Sequence, residues 1–195
     1  MEHAYANGSF DQLFSVEIHK ESADKVIERF SNISSVVIFN SDSETALKEI
    51  FKKIKKEDRA FFFLDAHFPG EHSSEFNGYE SVASDRVTLP LESELRLIRN
   101  SRPYSNDVIV VDDLRIYENG PFENGNLPEN FGGLSEYFRH IRFVYELLPN
   151  HVITKDYRDE GYLIISPMNS EFQLTRLNPF QRMVRNIRKR IFGAI

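Results

Sequence analysis

Two short apolar runs in this chain each end in carboxylates. Phe61-Phe62-Phe63-Leu64 runs straight into Asp65, with His67 two residues on, and Val108-Ile109-Val110-Val111 runs into Asp112-Asp113. Continuous apolar runs this short predict strands buried on both faces, as the central strands of a parallel sheet are. Open α/β sheets bind ligands at the carboxyl ends of their strands. If the two strands lie side by side, Asp65, Asp112 and Asp113 converge at one rim. Three acids there repel one another and shift their pKa values unless a cation or basic side chains compensate. Oxygen ligands alone suit a hard divalent cation. The plain alternative is neutralisation by Arg115 and neighbouring lysines or arginines. His67 shares the rim as a candidate base, or else as a packing residue.

The elements that must position this rim follow in order. Phe10 to Ile18 predicts a strand ending at Glu17, and Ser22 is a candidate cap for a helix bearing Val26, Ile27 and Phe30. Val36-Val37-Ile38-Phe39 predicts the next strand. Asp42 or Ser43 then caps a helix with Ala46, Leu47, Ile50, Phe51 and Ile54 on one face and four lysines toward its end. The stretch 69–86 reads as a long polar loop. Pro90 opens a helix with Leu91, Leu95 and Ile98 at helical spacing. A second long loop spans 115–130. A helical stripe runs from Leu134 through Phe138, Ile141 and Tyr145 to Leu148. Asp159-Glu160-Gly161 joins two β-rich runs as an antiparallel hairpin. Strand–helix repetition ending in a hairpin predicts an α/β sheet, mostly parallel, with an antiparallel end.

The chain has 195 residues, which suits one domain with a sizeable core. It contains no cysteine, which excludes disulfides, thiolate metal sites and a cysteine nucleophile. That composition and the Met1-Glu2-His3-Ala4-Tyr5 start, which lacks the regions of a signal peptide, lead us to expect a cytoplasmic protein. No apolar run is long enough to span a membrane. The net charge is −6, yet the six basic residues after Glu171 meet no acid, which leaves −12 on the preceding body. Such a body is a poor nucleic-acid binder. Residues 1–170 therefore form the expected α/β domain, and 171–195 a basic amphipathic helix with Phe180, Met183, Val184, Ile187 and Ile191 on one face. That helix either docks on the acidic body or contacts an anionic membrane surface, a partner protein or a second copy. No nucleophile elbow, Walker loop or zincin motif occurs.

Leu64-Asp65-Ala66-His67, then Pro90-Leu91 with Glu94-Leu95 and Ile98, then Asp112-Asp113 with Arg115, give the chain a resemblance. It looks like a class I S-adenosylmethionine-dependent methyltransferase of Rossmann-like fold, in a bacterial branch with this motif order. The resemblance covers roughly Phe10 to Pro167. It implies that Glu17 grips the cofactor ribose, a task suited to a carboxylate facing a vicinal diol. Asp42 and Ser43 match the position near the adenine ring, although both are also good helix caps. Asp65 matches a rim acid that is cofactor-facing and, in the catechol O-methyltransferase-like branch, a magnesium ligand; Asp112-Asp113 stands where that branch has an Asp-Asn pair. The implied activity is methyl transfer to an oxygen of a small molecule or glycan, assisted by Mg2+, with His67 or Asp113 acting on the acceptor's proton. The family's first strand and glycine-rich loop should precede Glu17, where Gly8 is the only glycine. With that strand missing, the Glu17 strand is expected to pair directly with the Asp65 strand. The alternative is a non-catalytic, degenerate scaffold that binds a partner or a membrane surface.

Overall fold

The computed structural model of the chain describes residues 2–65, 89–103, 106–127 and 139–168. Its elements are α1 (Glu2–Asn7), β1 (Leu13–Glu17), α2 (Lys20–Phe30), β2 (Val36–Asn40), α3 (Ser43–Lys53) and β3 (Phe61–Leu64), followed by α4 (Leu91–Ser101), β4 (Val108–Val111), a 3-10 turn (Leu114–Ile116), α5 (Arg142–Leu147), β5 (His151–Asp156) and β6 (Tyr162–Pro167). The class is α/β, compatible with a Rossmann-like fold. β3 and β4 are parallel, with Phe61 opposite Val108 and Leu64 opposite Val111. β6 runs antiparallel to β4 and β5 antiparallel to β6, giving the order β3-β4-β6-β5. The expected terminal hairpin is therefore present.

The expected pairing of the Glu17 strand with the Asp65 strand is not. β1 pairs in parallel with β2 alone, in a separate two-stranded sheet. Among the described residues no strand bonds to the outer edge of β1 or of β3. β4 is buried along most of its length, as its apolar run predicts, but β3 buries only Phe62 and Leu64. Phe61 and Phe63 on its other face are 45% and 52% exposed, against the expectation of a strand covered on both faces. The Phe10 ring approaches Phe61 at 6.2 Å between centroids.

The core lies between α4, α5 and the four-stranded sheet, with Leu95, Leu114, Val144, Leu163 and Ile165 fully buried and Leu47 of α3 joining it. α3 starts as its sequence demands. The Asp42 carboxylate caps it by accepting the Thr45 N–H at 2.8 Å, and Lys52 and Lys53 occupy its last turn. α2 begins at Lys20 rather than after Ser22, because the Glu17 carboxylate takes the His19 N–H at 2.8 Å and turns the chain at once. Its buried positions are Ala23 and Phe30, while Ile27 is exposed. Leu134 and Phe138 of the expected stripe lie outside the described residues, while residues 139–141 are not helical and a helix starts at Arg142. There the Arg139 guanidinium bonds outward to the Ile116 and Arg115 carbonyls.

One buried ion pair fixes the amino ends of β3 and β4. Arg102 and Asp107 side chains are 2% and 4% exposed and meet in a two-pronged contact, at 2.6 Å (Nε to Oδ2) and 3.0 Å (Nη2 to Oδ1). Arg102 also donates to the Lys55 and Asp58 carbonyls, and Asp107 accepts the Ala60 N–H at 2.8 Å. Four donor contacts of Arg102 and both carboxylate oxygens of Asp107 are thus engaged near the start of β3, as a buried pair requires.

The described part of the second long loop is tied down rather than free-standing. Leu114 N–H bonds to the Gly161 carbonyl, and Glu123 and Asn124 N–H bond to the Tyr157 and Asp159 carbonyls. Phe122 is buried against the Tyr157 ring. Gly161 has φ +88°, and a Cβ there would overlap the Phe122 ring. Stretch 66–88, with His67, and the tail beyond Met168 lie outside the described residues. Among the described residues no helix is long and apolar enough to cross a membrane.

Candidate functional site

The ladder between β3 and β4 continues one step past Val111, where the Asp112 N–H bonds to the Leu64 carbonyl at 3.0 Å. Asp65 and Asp112 therefore leave the sheet at the same carboxyl edge, as the sequence predicts. Beyond them the chain turns sharply. Asp113 has a left-handed backbone, φ 51°, and its N–H bonds to the Asp112 Oδ1 at 2.9 Å. An aspartate tolerates this conformation better than most residues. Arg115 Nε stands 4.0 Å from Asp113 Oδ1 and its Nη2 3.6 Å from Glu160 Oε1, so a cation does face these acids.

Among the described residues no group of three or more histidine, aspartate or glutamate side chains could hold a metal ion. The partners of two of the rim acids are visible. Asp112 turns back onto the main chain, and Asp113 faces Arg115.

Glu17 closes β1, with its carboxylate oriented by the His19 N–H and its main-chain carbonyl held by the Asn40 amide at 2.9 Å. Asp42 acts as the cap of α3. Burial works to raise its pKa, but hydrogen bonds from the Thr45 main chain and hydroxyl outweigh it and hold the carboxyl below its ordinary value. The Ser43 hydroxyl faces the carboxyl of Glu94.

Glu94 is the residue that organises this end of the molecule. It sits in the first turn of α4 and is 2% exposed. Burial pushes its pKa up to about 7; the Ser43 hydroxyl works against that rise, and the Glu44 charge adds to it. Tyr117, just past the 3-10 turn, is also buried. Burial first, then the negative charges of Glu94 and Asp113, push its phenol well above the ordinary value. Glu94 thus joins the starts of α3 and α4 to the segment after β4. α4 ends at the Arg102 clamp, on the amino side of the sheet, so its start lies on the carboxyl side. The carboxyl end of β2, reached through Ser43, is brought to the same side as those of β3 and β4.

A cleft of about 260 Å³ opens beside this cluster. It is lined by Leu89, Glu92, Tyr117, His140, Arg142, Phe143 and Glu146. Of the residues singled out from the sequence, the structure places Asp65, Asp112 and Asp113 along one edge and Ser43 beside Glu94. Glu17 belongs to the other sheet, and His67 is not among the described residues. Glu94 stands in the motif order but has no chemical role assigned from the sequence, and Tyr117 has none. A signal for Glu94 exists: it falls in the apolar stripe Leu91, Glu94, Leu95, Ile98, where a charged residue is out of place. No pattern singles out Tyr117.

No family model and no curated protein matches the chain. A structural-genomics crystal structure of a protein from Corynebacterium glutamicum is similar, with a TM-score of 0.45 and 9% sequence identity. The match covers 83% of this chain and 63% of that one, so the chain spans less than two thirds of its neighbour's length.

Proposed function

We propose that the chain uses S-adenosylmethionine to methylate an oxygen of a small molecule or glycan. The observation that carries this reading is the shared carboxyl rim, where Asp65, Asp112 and Asp113 follow two parallel strands and Glu94 draws in the start of α3. Ligands of open α/β sheets bind at such a rim, and the motif order of the sequence supplies the methyltransferase part. The cofactor, when bound, supplies an electrophilic methyl group. The chain's own residues have to hold and align the reactants, since in-line transfer depends on positioning more than on covalent help. Glu17, oriented by the His19 N–H, suits the ribose diol. Asp113, exposed in part and set by its left-handed turn, is the described candidate to accept the acceptor's proton. The reading is stated without a metal, since among the described residues no group of three acids or histidines is placed to hold one.

Calorimetric titration with S-adenosylmethionine, with and without magnesium, tests the reading. Saturable heat that Glu17→Gln reduces and magnesium leaves unchanged is the expected result. Absence of binding to the folded protein overturns it.

One observation favours a second reading, a non-catalytic scaffold. Among the described residues β1 pairs with β2 alone and not with the sheet that carries Asp65 and Asp112. In that case the basic tail is the contact surface for a partner or an anionic membrane. Sedimentation with anionic vesicles, comparing the full chain with one ending at Asn178, measures it; salt-sensitive binding lost on truncation marks the tail as the contact.

A further inference from the structure

The cleft beside Tyr117 is too small for a nucleoside cofactor. At about 260 Å³ it lies below the ~300–1,000 Å³ of sites that take drug-sized ligands. Its chemistry is specific for its size. Phe143 and Tyr117 are buried and, with Leu89, give it apolar surfaces, while Arg142 and Glu146 bring opposite charges to its wall.

Those two charges are the informative pair. They stand four positions apart on α5, one turn and about 6 Å of rise along the axis. Residues so spaced are helix-surface neighbours, yet Arg142 and Glu146 form no ion pair with each other or with any other described residue. Their order, cation first, is the weaker one for pairing within a helix. Glu92 across the cleft is already engaged, with its carboxylate taking Arg96 Nη2 at 2.6 Å and Nε at 3.1 Å. His140 is held edge-on to the Phe143 ring, with centroids 5.8 Å apart. The wall therefore presents one uncommitted guanidinium and one uncommitted carboxylate above apolar surface, with the Tyr117 phenol beside them.

We infer that this cleft binds a small zwitterion of the α-amino-acid type, its carboxylate on Arg142, its ammonium on Glu146 and an apolar side chain against Phe143 and Leu89. A guanidinium recognises a carboxylate through paired N–H donors, and a carboxylate accepts from an ammonium. The inference stands apart from the methyltransferase reading, since none of the residues assigned to cofactor or catalysis there lines the cleft.

The test is calorimetric titration of the full chain with three probes of like shape: L-leucine, 3-methylbutylamine and 4-methylpentanoate. L-Leucine is expected to bind saturably, with each single-charge probe weaker by about tenfold or more. Arg142→Gln and Glu146→Gln, both exposed substitutions that leave the melting temperature in place, should each weaken L-leucine by a similar factor. No saturable binding of L-leucine up to about 10 mM overturns the inference. So does equal binding of the amine or the acid, or binding that both variants leave unchanged.

Discussion

Replacing Glu94 with glutamine should make the protein more stable at pH 8 and leave it nearly unchanged near pH 4.5. The native carboxyl titrates at about 7 against an ordinary value of 4.5. A carboxyl whose pKa is raised by folding holds its proton longer in the native state than in the unfolded one. Its contribution is fully favourable below about 4.5 and is lost as pH climbs through 7. A gap of about 2.5 units at 1.36 kcal/mol each gives a loss of about 3 kcal/mol across that window. Glu94 is 2% exposed, so solvent screening takes little from this figure. Glutamine keeps the shape and an acceptor for the Ser43 hydroxyl but cannot ionise. Two other groups shape the same profile. Burial lowers the pKa of His151, so its contribution is present above its ordinary 6.5 and lost as pH falls below that value. Asp42, with a lowered pKa, contributes above its ordinary 3.8 and loses stability only as pH falls further. Both are common to wild type and variant, so the difference between the two curves isolates Glu94. Urea unfolding at half-unit steps from pH 4.5 to 8.5 provides those curves. Parallel curves, or a variant less stable than wild type at pH 8, would refute the assignment of a buried, protonated carboxyl to this position.

The remaining predictions concern the scaffold. Arg102→Met strands Asp107 and the Lys55 and Asp58 carbonyls, and should cost about 3–5 kcal/mol in urea unfolding; a loss under about 1 kcal/mol would mean the pair is not buried as described. Gly161→Ala forces a side chain into a left-handed backbone against Phe122, and should cost about 2 kcal/mol or more, lowering Tm by roughly 4–8 °C for a chain of this length. An unchanged Tm would show that the 157–161 turn does not pack on Phe122.

What was legible in the sequence follows from which interactions are local. The α3 cap at Asp42, the hairpin at Gly161 and the parallel β3–β4 pair ending in acids all depend on a few residues near one another or on an unbroken apolar run. Sheet continuity is not local. Phe61-Phe62-Phe63-Leu64 reads as a strand covered on both faces, because each residue is apolar, but cover depends on what packs over each face from distant parts of the chain, and Phe61 and Phe63 stay exposed. The start of α2 was misplaced for a similar reason. Ser22 is a good cap by type, but the side chain of Glu17 had already turned the chain at His19. Asp65 and Asp112 leave the sheet at the edge that the apolar runs predict, whereas the left-handed turn at Asp113 follows from local backbone that no pattern announces.

The two ends of the sheet are built on opposite principles, and the contrast argues for where ligands go. At the amino end the charged groups are paired: Arg102 and Asp107 satisfy each other and three main-chain groups. At the carboxyl end Arg115 answers Asp113 and Glu160, but other charges stand against one another. Glu94 is buried with Glu44 for a neighbour, and Tyr117 faces the charges of Glu94 and Asp113. A buried carboxyl held near neutrality by desolvation is destabilising once it ionises, whereas an apolar residue in the Leu91–Leu95–Ile98 stripe would not be. Perturbed groups of this kind gather where a protein handles ligands rather than where it holds itself together. Glu94→Leu separates the two interpretations. If the carboxyl has only a structural part, leucine should raise stability at pH 8 with ligand binding intact. If it serves the rim, the same gain in stability should come with a loss of S-adenosylmethionine binding measured on the same preparation.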